Sequence, residues 1–383
     1  MVYLDNNATS APLPAVVRAM APFFAERFGN ASSMHAQGVQ ARAAVDEARA
    51  QVARLIGATP DEIVFTSGGT EGDNLALSGT GAPGCHVITS AIEHHAILDT
   101  LRWSETAGAR VTRIRPDRSG RVDPADVRAA LTPATRLISI MMANNETGVL
   151  QPVEEIGRIA AEADVAFHID AVQAAGKVPI DVRRIRCDAL TLSGHKMHGP
   201  QGVGALFIRS GTQVRPILHG GSQERGRRAG TENLAAIVGF GVAAAHAVEW
   251  LAEGRARGLE ALRDRLEAGI RAAVPAVQVN GADAPRVPNT SNISFDGIAG
   301  RALVVALDDA GVCVSTGSAC SSGSAEPPHV LLAMGLLPIQ AHSAIRLSLG
   351  KRTTADQIDF VLSRLPEAVG RLREMSPLWT NRH

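Results

Sequence analysis

The sequence lacks the features that mark several classes of protein. It carries 38 basic and 38 acidic side chains in 383 residues, so it has no positive excess of the kind that favours nucleic acid or a membrane surface. No window holds the ~18 consecutive apolar residues of a membrane span. The first residues, MVYLDNNATS, have neither the basic start nor the apolar core of a signal peptide. We therefore predict a cytoplasmic protein whose main partner is neither nucleic acid nor membrane.

Cysteine is also scarce. Cys85, Cys187, Cys313 and Cys320 are scattered, and no two of them form a CxxC pair. This spacing argues against a structural zinc site and against a framework of disulfides. We therefore predict no resident metal ion.

The first two thirds of the chain alternate short apolar runs with helical patterns. AVDEARAQVARLIG has apolar residues at helical spacing, whereas TRLISIMM is a continuous apolar run, as expected of a strand buried on both faces. The alternation predicts a mostly parallel sheet covered by helices. From about residue 233 long helical patterns precede three further strand-like runs, which predicts a second, smaller α/β domain. We assign 13–254 to the large domain and 1–12 plus 255–383 to the small one.

Polar clusters follow five of the predicted strands. They are TSGGTEGDN, EHH, NNETG, DAVQ and SGHK. Ligands of parallel sheets gather at the carboxyl ends of the strands, so these clusters predict one shared site. The alternative is that they are ordinary loops, which are polar in any case.

Two of the clusters suggest a particular chemistry. The Ser-Gly-Gly-Thr turn at 67–70 precedes a helix, and such a turn suits a phosphate because glycine admits a close approach and the helix start offers free N–H groups. Lys196 follows a strand and is flanked by glycines; a lysine in a desolvating pocket is partly neutral and forms imines. Taken alone, Lys196 fits a solvated surface lysine better, since most lysines are of that kind.

The remaining clusters add complementary groups. Asp170 ends an apolar strand and needs a cation or a hydrogen-bonding role such as a helix cap. Gln173 supplies an amide, and His94 or His95 supplies a flat imidazole. Together these groups are the parts of a pyridoxal phosphate site. Such a site needs a phosphate-binding turn, an acid for the pyridine nitrogen, an amide, an imidazole and a lysine that forms an imine.

The motifs that carry these residues resemble those of the cysteine desulfurases of the NifS and IscS type, in the class V aminotransferase family. The matching stretches include YLDNNATS, VFTSGGTEGDNLAL, NNETGVLQP, HIDAVQAAGKVPIDV, TLSGHKMHGPQGVGAL, RRAGTEN and STGSACSSGS, in order from residue 3 to about residue 353. The resemblance implies the pyridoxal phosphate-dependent transferase fold of the aspartate aminotransferase type, called fold type I.

The resemblance also implies roles for single residues. Those assigned to the coenzyme are Lys196 as its covalent lysine, Asp170 at the pyridine nitrogen, Gln173 and Asn145 near the ring hydroxyl, His94 on the ring face, and Gly69, Thr70, Ser193 and His195 at the phosphate. Thr231 resembles a residue that reaches the phosphate of the neighbouring subunit, which implies a homodimer. Arg346 would bind the α-carboxylate of the substrate, and Asn7 would also touch it.

Cys320 decides the predicted reaction. It lies in a Ser-, Gly- and Ala-rich loop, about 315–326, whose composition predicts a mobile, exposed segment. By resemblance its thiolate takes the sulfur of L-cysteine as a persulfide, releases L-alanine and passes the sulfur to an acceptor or iron–sulfur scaffold protein. His94 and the substrate amine are both candidates for generating that thiolate. Cys320 could also ligate an iron–sulfur cluster transiently.

Other functions remain open at this stage. A selenocysteine lyase or another enzyme of the class V family, such as an aminotransferase, would use the same scaffold. A third possibility is a docking platform for iron–sulfur cluster assembly in which catalysis is secondary. The loop thiol favours the desulfurase over the aminotransferase, since the latter needs none.

Overall fold

A computed structural model describes residues 1–80, 84–317 and 327–380. The strands are β1 (Val2–Tyr3), β2 (Ile63–Thr66), β3 (His86–Ser90), β4 (Arg110–Ile114), β5 (Thr135–Ser139), β6 (Ala166–Asp170), β7 (Ala189–Ser193), β8 (Gly204–Ile208), β9 (Val277–Val279), β10 (Thr290–Phe295), β11 (Val312–Cys313) and β12 (Ala344–Ser348). The helices are α1 (Pro14–Met20), α2 (Pro22–Ala25), α3 (Ala36–Leu55), α4 (Gly69–Thr80), α5 (His95–Thr106), α6 (Pro124–Ala129), α7 (Val153–Glu162), α8 (Val182–Ile185), α9 (Leu234–Ala252), α10 (Arg255–Ala273), α11 (Gly300–Asp309), α12 (His329–Ala333), α13 (Pro338–His342), α14 (Ala355–Glu374) and α15 (Pro377–Thr380).

A seven-stranded sheet forms the centre of the fold. Its order is β2-β8-β7-β6-β5-β3-β4, and neighbours from β7 to β4 pair in parallel. β8 runs antiparallel to both β2 and β7, so β2 still points the same way as the parallel strands. The six strands from β2 to β3 in this order are buried along most or all of their length, as expected of a sheet covered on both faces. The predicted α/β fold with a mostly parallel sheet is confirmed.

The C-terminal part of the chain builds separate sheets. β10 lies between β9 and β12 in a three-stranded antiparallel sheet, and the three strand-like runs predicted from the sequence correspond to β10, β11 and β12. β1, at the start of the chain, pairs in parallel with β11. The N-terminal segment therefore joins the C-terminal half of the protein, far from it in sequence.

Two large apolar cores follow this division. The first contains residues between Val16 and Ala247, with Val287 added to it, and the second contains Val2, Leu4 and residues from Trp250 onward. We propose on this basis that 13–254 and 1–12 plus 255–383 are the two domains. The boundary between α9 and α10 lies at Gly254. Its φ of +69° is a left-handed conformation that glycine adopts readily and that stops α9 from continuing into α10.

Helix α9 is the one helix of the described residues that is long and apolar enough to cross a membrane. More than half of its apolar window is buried inside the protein, and it packs along α3 and α1. This is the environment of a core helix in a globular domain, which passes the same test of length and composition.

Candidate active site

The polar clusters predicted to share one site do so. They surround a cavity of about 410 Å³ at the carboxyl ends of β2, β3, β5, β6 and β7. The cavity is lined by Asn7, Ala8, Gly69, Thr70, Asp73, His94, His95, Met141, Asn145, Glu146, Asp170, Val172, Gln173, Ser193, His195, Lys196, Gly317, His329 and Arg346. Parallel strands bring residues that are distant in sequence to one edge, and for this reason the convergence was foreseeable.

Lys196 lies in a short 3-10 turn directly after β7. Its Nζ donates hydrogen bonds to the backbone carbonyls of Asn7 and Ala8, both at 2.7 Å. The N-terminal segment thus holds the amine at the wall of the cavity. A surface lysine would extend into solvent, so the geometry favours a role for the amine inside the cavity.

Asp170 ends β6, and its Oδ1 accepts a hydrogen bond from the Val172 N–H at 2.9 Å. Burial raises the pKa of Asp170 to about 6, while that hydrogen bond and the nearby Lys196 act in the opposite direction. A cation at the cavity would stabilise its ionised form further. Asp170 therefore caps the local backbone and also lines the cavity, where its carboxyl group is available to a ligand.

Asp73 lies behind Asp170 and was not singled out from the sequence. Burial and the proximity of Asp170 raise the pKa of Asp73 well above its ordinary value. His168 Nε2 lies 3.7 Å from Asp73 Oδ1, but burial lowers the pKa of His168 to about 3, so the imidazole is neutral near pH 7 and forms no charged pair with Asp73. Burial and the charge of Asp170 thus both oppose the ionised form of Asp73.

His94 caps the start of α5, where its Nδ1 accepts the Ala96 N–H at 3.1 Å. Burial, then the charge of Lys196, lower its pKa to about 4. The ring is therefore neutral near pH 7, and because Nδ1 accepts, its proton lies on Nε2. His95 instead lies at the surface side, with its ring centroid 5.0 Å from that of His329, a further residue of the cavity that the sequence did not reveal.

The start of α4 and the turn after β7 form one end of the cavity. Gly69 begins the helix, and a Cβ at that position would lie 2.9 Å from Val172 Cγ2, so only glycine fits without displacement. Thr70 and Ser193 offer hydroxyl groups there, and His195 Nδ1 contacts Thr9 Oγ1 at 3.1 Å. Unpaired N–H groups at a helix start together with hydroxyls suit a phosphate.

Arg346, on β12, lies at the opposite end and is 2% exposed. Its guanidinium donates to Asp5 Oδ1 at 2.9 Å and to the Asn145 carbonyl at 3.1 Å, whereas its Nε has no hydrogen-bond partner among the described residues. Glu146 lies beside it, its Oε2 likewise without a partner in that part of the chain, and burial raises the pKa of Glu146 to about 7 although Arg346 opposes this. These groups form a polar end that a carboxylate can enter.

The cavity fits pyridoxal phosphate. Orphaned buried polar atoms, which are costly unless a ligand satisfies them, include Asn145 Oδ1, Glu146 Oε2 and Arg346 Nε. The phosphate cradle, the amine of Lys196 and the carboxyl of Asp170 lie around the same space.

Two predicted site residues are not among those that line the cavity. Thr231 is exposed, in the segment that precedes α9. Cys320 lies outside the described residues, as does most of its loop; of the loop residues that the structure describes, Gly317 borders the cavity. Gln173 and Asn7 do line it, although the side chain of Asn7 is engaged elsewhere: its Nδ2 donates to Thr290 Oγ1 at 2.9 Å and its Oδ1 accepts from Asn289 at 3.0 Å.

Comparison with known proteins matches these observations. Residues 2–361 fit the aminotransferase class-V family. The chain is 50% identical over 383 residues to a cysteine desulfurase of Gluconacetobacter diazotrophicus, which covers 99% of this chain and 96% of the relative. It is 48% identical over 383 residues to the cysteine desulfurase NifS of Azotobacter vinelandii, with 99% and 95% covered. A solved structure of a NifS-like protein is 37% identical and superimposes with a TM-score of 0.90 over 97% of this chain and 100% of that one.

The expected family, fold and coenzyme dependence are thereby confirmed, whereas the roles of single residues stay predictions. The chain belongs to the pyridoxal phosphate-dependent cysteine desulfurases of the class V aminotransferase family.

Proposed function

We propose that the protein removes sulfur from L-cysteine, releases L-alanine and holds the sulfur as a persulfide on Cys320. The observation that carries the proposal is the convergence of Lys196, Asp170 and Arg346 on one cavity. Such a cavity provides an amine, an acid and a carboxylate-binding fork in the arrangement that a coenzyme-bound amino acid requires.

The coenzyme would be held by groups at known positions of the cavity. Gly69, Thr70, Ser193 and His195 would bind its phosphate, Asp170 its pyridine nitrogen, and Asn145 and Gln173 its ring hydroxyl. His94 would lie against its ring, and Lys196 would bind it covalently. Bound there, pyridoxal phosphate supplies an aldehyde that reacts with amines and a ring that withdraws electrons from the carbon next to the amine.

Proton transfer falls to Lys196 and His94. The Lys196 amine lies at the cavity wall, where it donates to two backbone carbonyls, and when it is not bound to the coenzyme it would serve as the base for the α-proton. His94 is neutral and carries its proton on Nε2, so in this geometry it is a hydrogen-bond donor at the cavity rather than the base that creates a thiolate.

Arg346 would bind the α-carboxylate of the substrate. Its guanidinium already donates hydrogen bonds to Asp5 and to the backbone carbonyls of Asn145 and Gly317. The group is therefore held in place before substrate binds. A preorganised fork favours a planar carboxylate over other anions.

Cys320 would accept the sulfur. The three cysteines that the structure describes are unsuited, because Cys85 and Cys187 are buried away from the cavity and burial raises the pKa of the Cys313 thiol. Gly317 borders the cavity three residues before Cys320, and three residues span at most ~11 Å. In the transfer, the Cβ–S bond of the substrate breaks and an S–S bond forms; the carbon keeps the electron pair and gains a proton.

The acceptor and the setting of the reaction extend the same proposal. We propose a homodimer in which Thr231 reaches the partner's phosphate site, an acceptor or iron–sulfur scaffold protein that takes the sulfur, and a cytoplasmic location. The exposed position of Thr231 and the NifS and IscS names of the relatives support this assignment.

The first test locates the coenzyme. The sequence has three lysines, at 177, 196 and 351, so borohydride reduction followed by peptide mass spectrometry can distinguish them. We expect the coenzyme on Lys196 alone. A label on another lysine, or a colourless protein that takes up no added coenzyme, would refute the assignment.

The second test concerns the sulfur. Incubated with L-cysteine and a thiol reductant, the protein should yield alanine and sulfide in equal amounts. Cys320→Ser should abolish this and leave coenzyme binding unchanged, while the control Cys313→Ser should keep its turnover. Full turnover in Cys320→Ser would remove Cys320 from the scheme. Activity confined to L-selenocysteine would instead identify a selenocysteine lyase.

A further inference from the structure

Lys177 is a second lysine beneath the cavity, in the turn that follows β6. Only three of the 38 basic residues are lysines, which leaves 35 arginines, so this chain meets almost every need for a cation with arginine. Lys177 is 8% exposed and does not line the cavity. The contacts of Lys177 should therefore explain why a lysine occupies this buried position.

The contacts of Lys177 are unusual for a buried cation. Its Nζ donates to Gln173 Oε1 at 2.6 Å and to Asn7 Oδ1 at 3.1 Å. Within the described part of the chain no carboxylate pairs with it; the charged groups that face it are Lys196 and Arg346, and His198 lies nearby. Burial, and then these two cations, lower the pKa of Lys177 well below its ordinary value. An apolar side chain would avoid this cost, so packing alone does not explain the amine.

The two oxygens that Lys177 binds belong to the side-chain amides of Gln173 and Asn7, which are linked to Lys196 through the Asn7 backbone carbonyl. Asn7 offers its backbone carbonyl to Lys196 Nζ at 2.7 Å and to Gln173 Nε2 at 3.0 Å. Lys177, Gln173, Asn7 and Lys196 therefore form one hydrogen-bonded chain that leads from the protein interior to the cavity.

The direction of an amide depends on its partners. A side-chain amide has an acceptor end and a donor end of nearly the same shape, and it turns over when its partners change. The Nζ of Lys177 donates to both amide oxygens, so both oxygen ends point inward. The NH₂ end of Gln173 then points toward the Asn7 backbone carbonyl, at 3.0 Å, and Gln173 itself lines the cavity.

We propose that Lys177 is a positioning residue that orients the Gln173 amide with its donor end toward the coenzyme. It acts through Gln173 and touches neither coenzyme nor substrate. The inference rests on the proposed function in one respect, namely that the cavity holds pyridoxal phosphate.

The test measures coenzyme binding, without turnover. Coenzyme-free protein is titrated with pyridoxal phosphate, and the dissociation constant is read from the absorption of the bound coenzyme. Lys177→Met removes the amine and keeps the length of the side chain, and we expect its dissociation constant to rise about tenfold, the effect of one lost hydrogen bond of ~1.4 kcal/mol. The control Lys351→Met removes another largely buried lysine, which stacks on Trp250 away from the cavity, and should leave the constant unchanged.

A double variant distinguishes positioning from a general structural effect. If Lys177 acts through Gln173, then Gln173→Ala and the double variant with Lys177→Met should bind the coenzyme equally weakly. Losses that multiply in the double variant, or wild-type affinity in Lys177→Met, would overturn the proposal.

A third variant keeps the test valid if Lys177→Met folds poorly. Gln173→Glu places a carboxylate against Lys177, so the melting temperature should not fall, yet the NH₂ donor is lost and the dissociation constant should rise about tenfold. Unchanged affinity in Gln173→Glu would also contradict the proposal. Failure of the wild-type protein to bind pyridoxal phosphate would count against the proposed function instead, which separates the two conclusions.

Discussion

Glu146 should make the coenzyme-free protein less stable as the pH rises. Its side chain is 1% exposed, Oε2 has no hydrogen-bond partner within residues 1–80, 84–317 and 327–380, and burial raises its pKa from 4.5 to about 7 even though Arg346 opposes the shift. Below pH 4.5 the carboxyl is protonated in both the folded and the unfolded protein. Above that pH the unfolded state loses the proton first, so the folded state is progressively disfavoured until the cost is complete above pH 7.

The size of the effect follows from the shift in pKa. A shift of roughly 2.5 units corresponds to about 3 kcal/mol at high pH, of which about 2 kcal/mol develops between pH 5.5 and 8.5. Glu146→Gln removes the ionisable group and keeps the shape of the side chain. Relative to wild type, its free energy of unfolding should therefore increase by about 2 kcal/mol over that interval.

Urea denaturation of the coenzyme-free proteins at the two pH values measures this difference at equal protein concentration. Glu155→Gln removes an exposed carboxyl from the first turn of α7 and is the matched control, whose curves should follow those of wild type. A stability difference for Glu146→Gln that is the same at both pH values would refute the reasoning, since it would show that this carboxyl does not take up a proton on folding.

Three further substitutions test the rest of the cavity. Arg346→Lys loses the planar fork and should raise KM for L-cysteine at least tenfold with little change in coenzyme affinity; steady-state kinetics with an unchanged KM would contradict this. Asp170→Asn cannot supply the negative charge at the pyridine nitrogen and should lower kcat about a hundredfold or more, with a changed spectrum of the bound coenzyme; a wild-type kcat would contradict it. Gly317→Ala would place its Cβ 2.5 Å from Glu146 Oε2 and should cost about 1–3 kcal/mol in urea denaturation, whereas a neutral effect would mean that the loop start is free to move.

The sequence predicts the parts of this protein that depend on local pattern. Asp123, which precedes Pro124 as helix caps commonly do, accepts the Ala125 N–H at the start of α6, and the apolar face of AVDEARAQVARLIG is buried in α3. The site clusters were predictable for a related reason, because parallel strands bring their carboxyl ends together. Lys196 and Asp170 could be singled out since each is a costly residue at such a strand end.

Other features depend on contacts between distant segments and leave no local signal. β8 enters the sheet antiparallel between β2 and β7, a placement that no periodicity specifies. Asp73, Glu146 and His329 become site residues only through burial and through neighbours that belong to other elements. Likewise, nothing in the sequence of the N-terminal segment indicates that β1 pairs with β11.

The N-terminal segment connects the two ends of the site. Asp5 accepts a hydrogen bond from Arg346, and the Asn7 and Ala8 carbonyls accept hydrogen bonds from Lys196. The same segment joins β12 through the Asn6 N–H, which donates to the Ser348 carbonyl at 3.1 Å. In the proposed function, a substrate carboxylate that binds Arg346 would compete with Asp5 for the guanidinium, and Asp5 is two residues from the Asn7 carbonyl that accepts from Lys196. Residues 5–8 therefore contact both the guanidinium and the amine, two groups that lie far apart in the sequence.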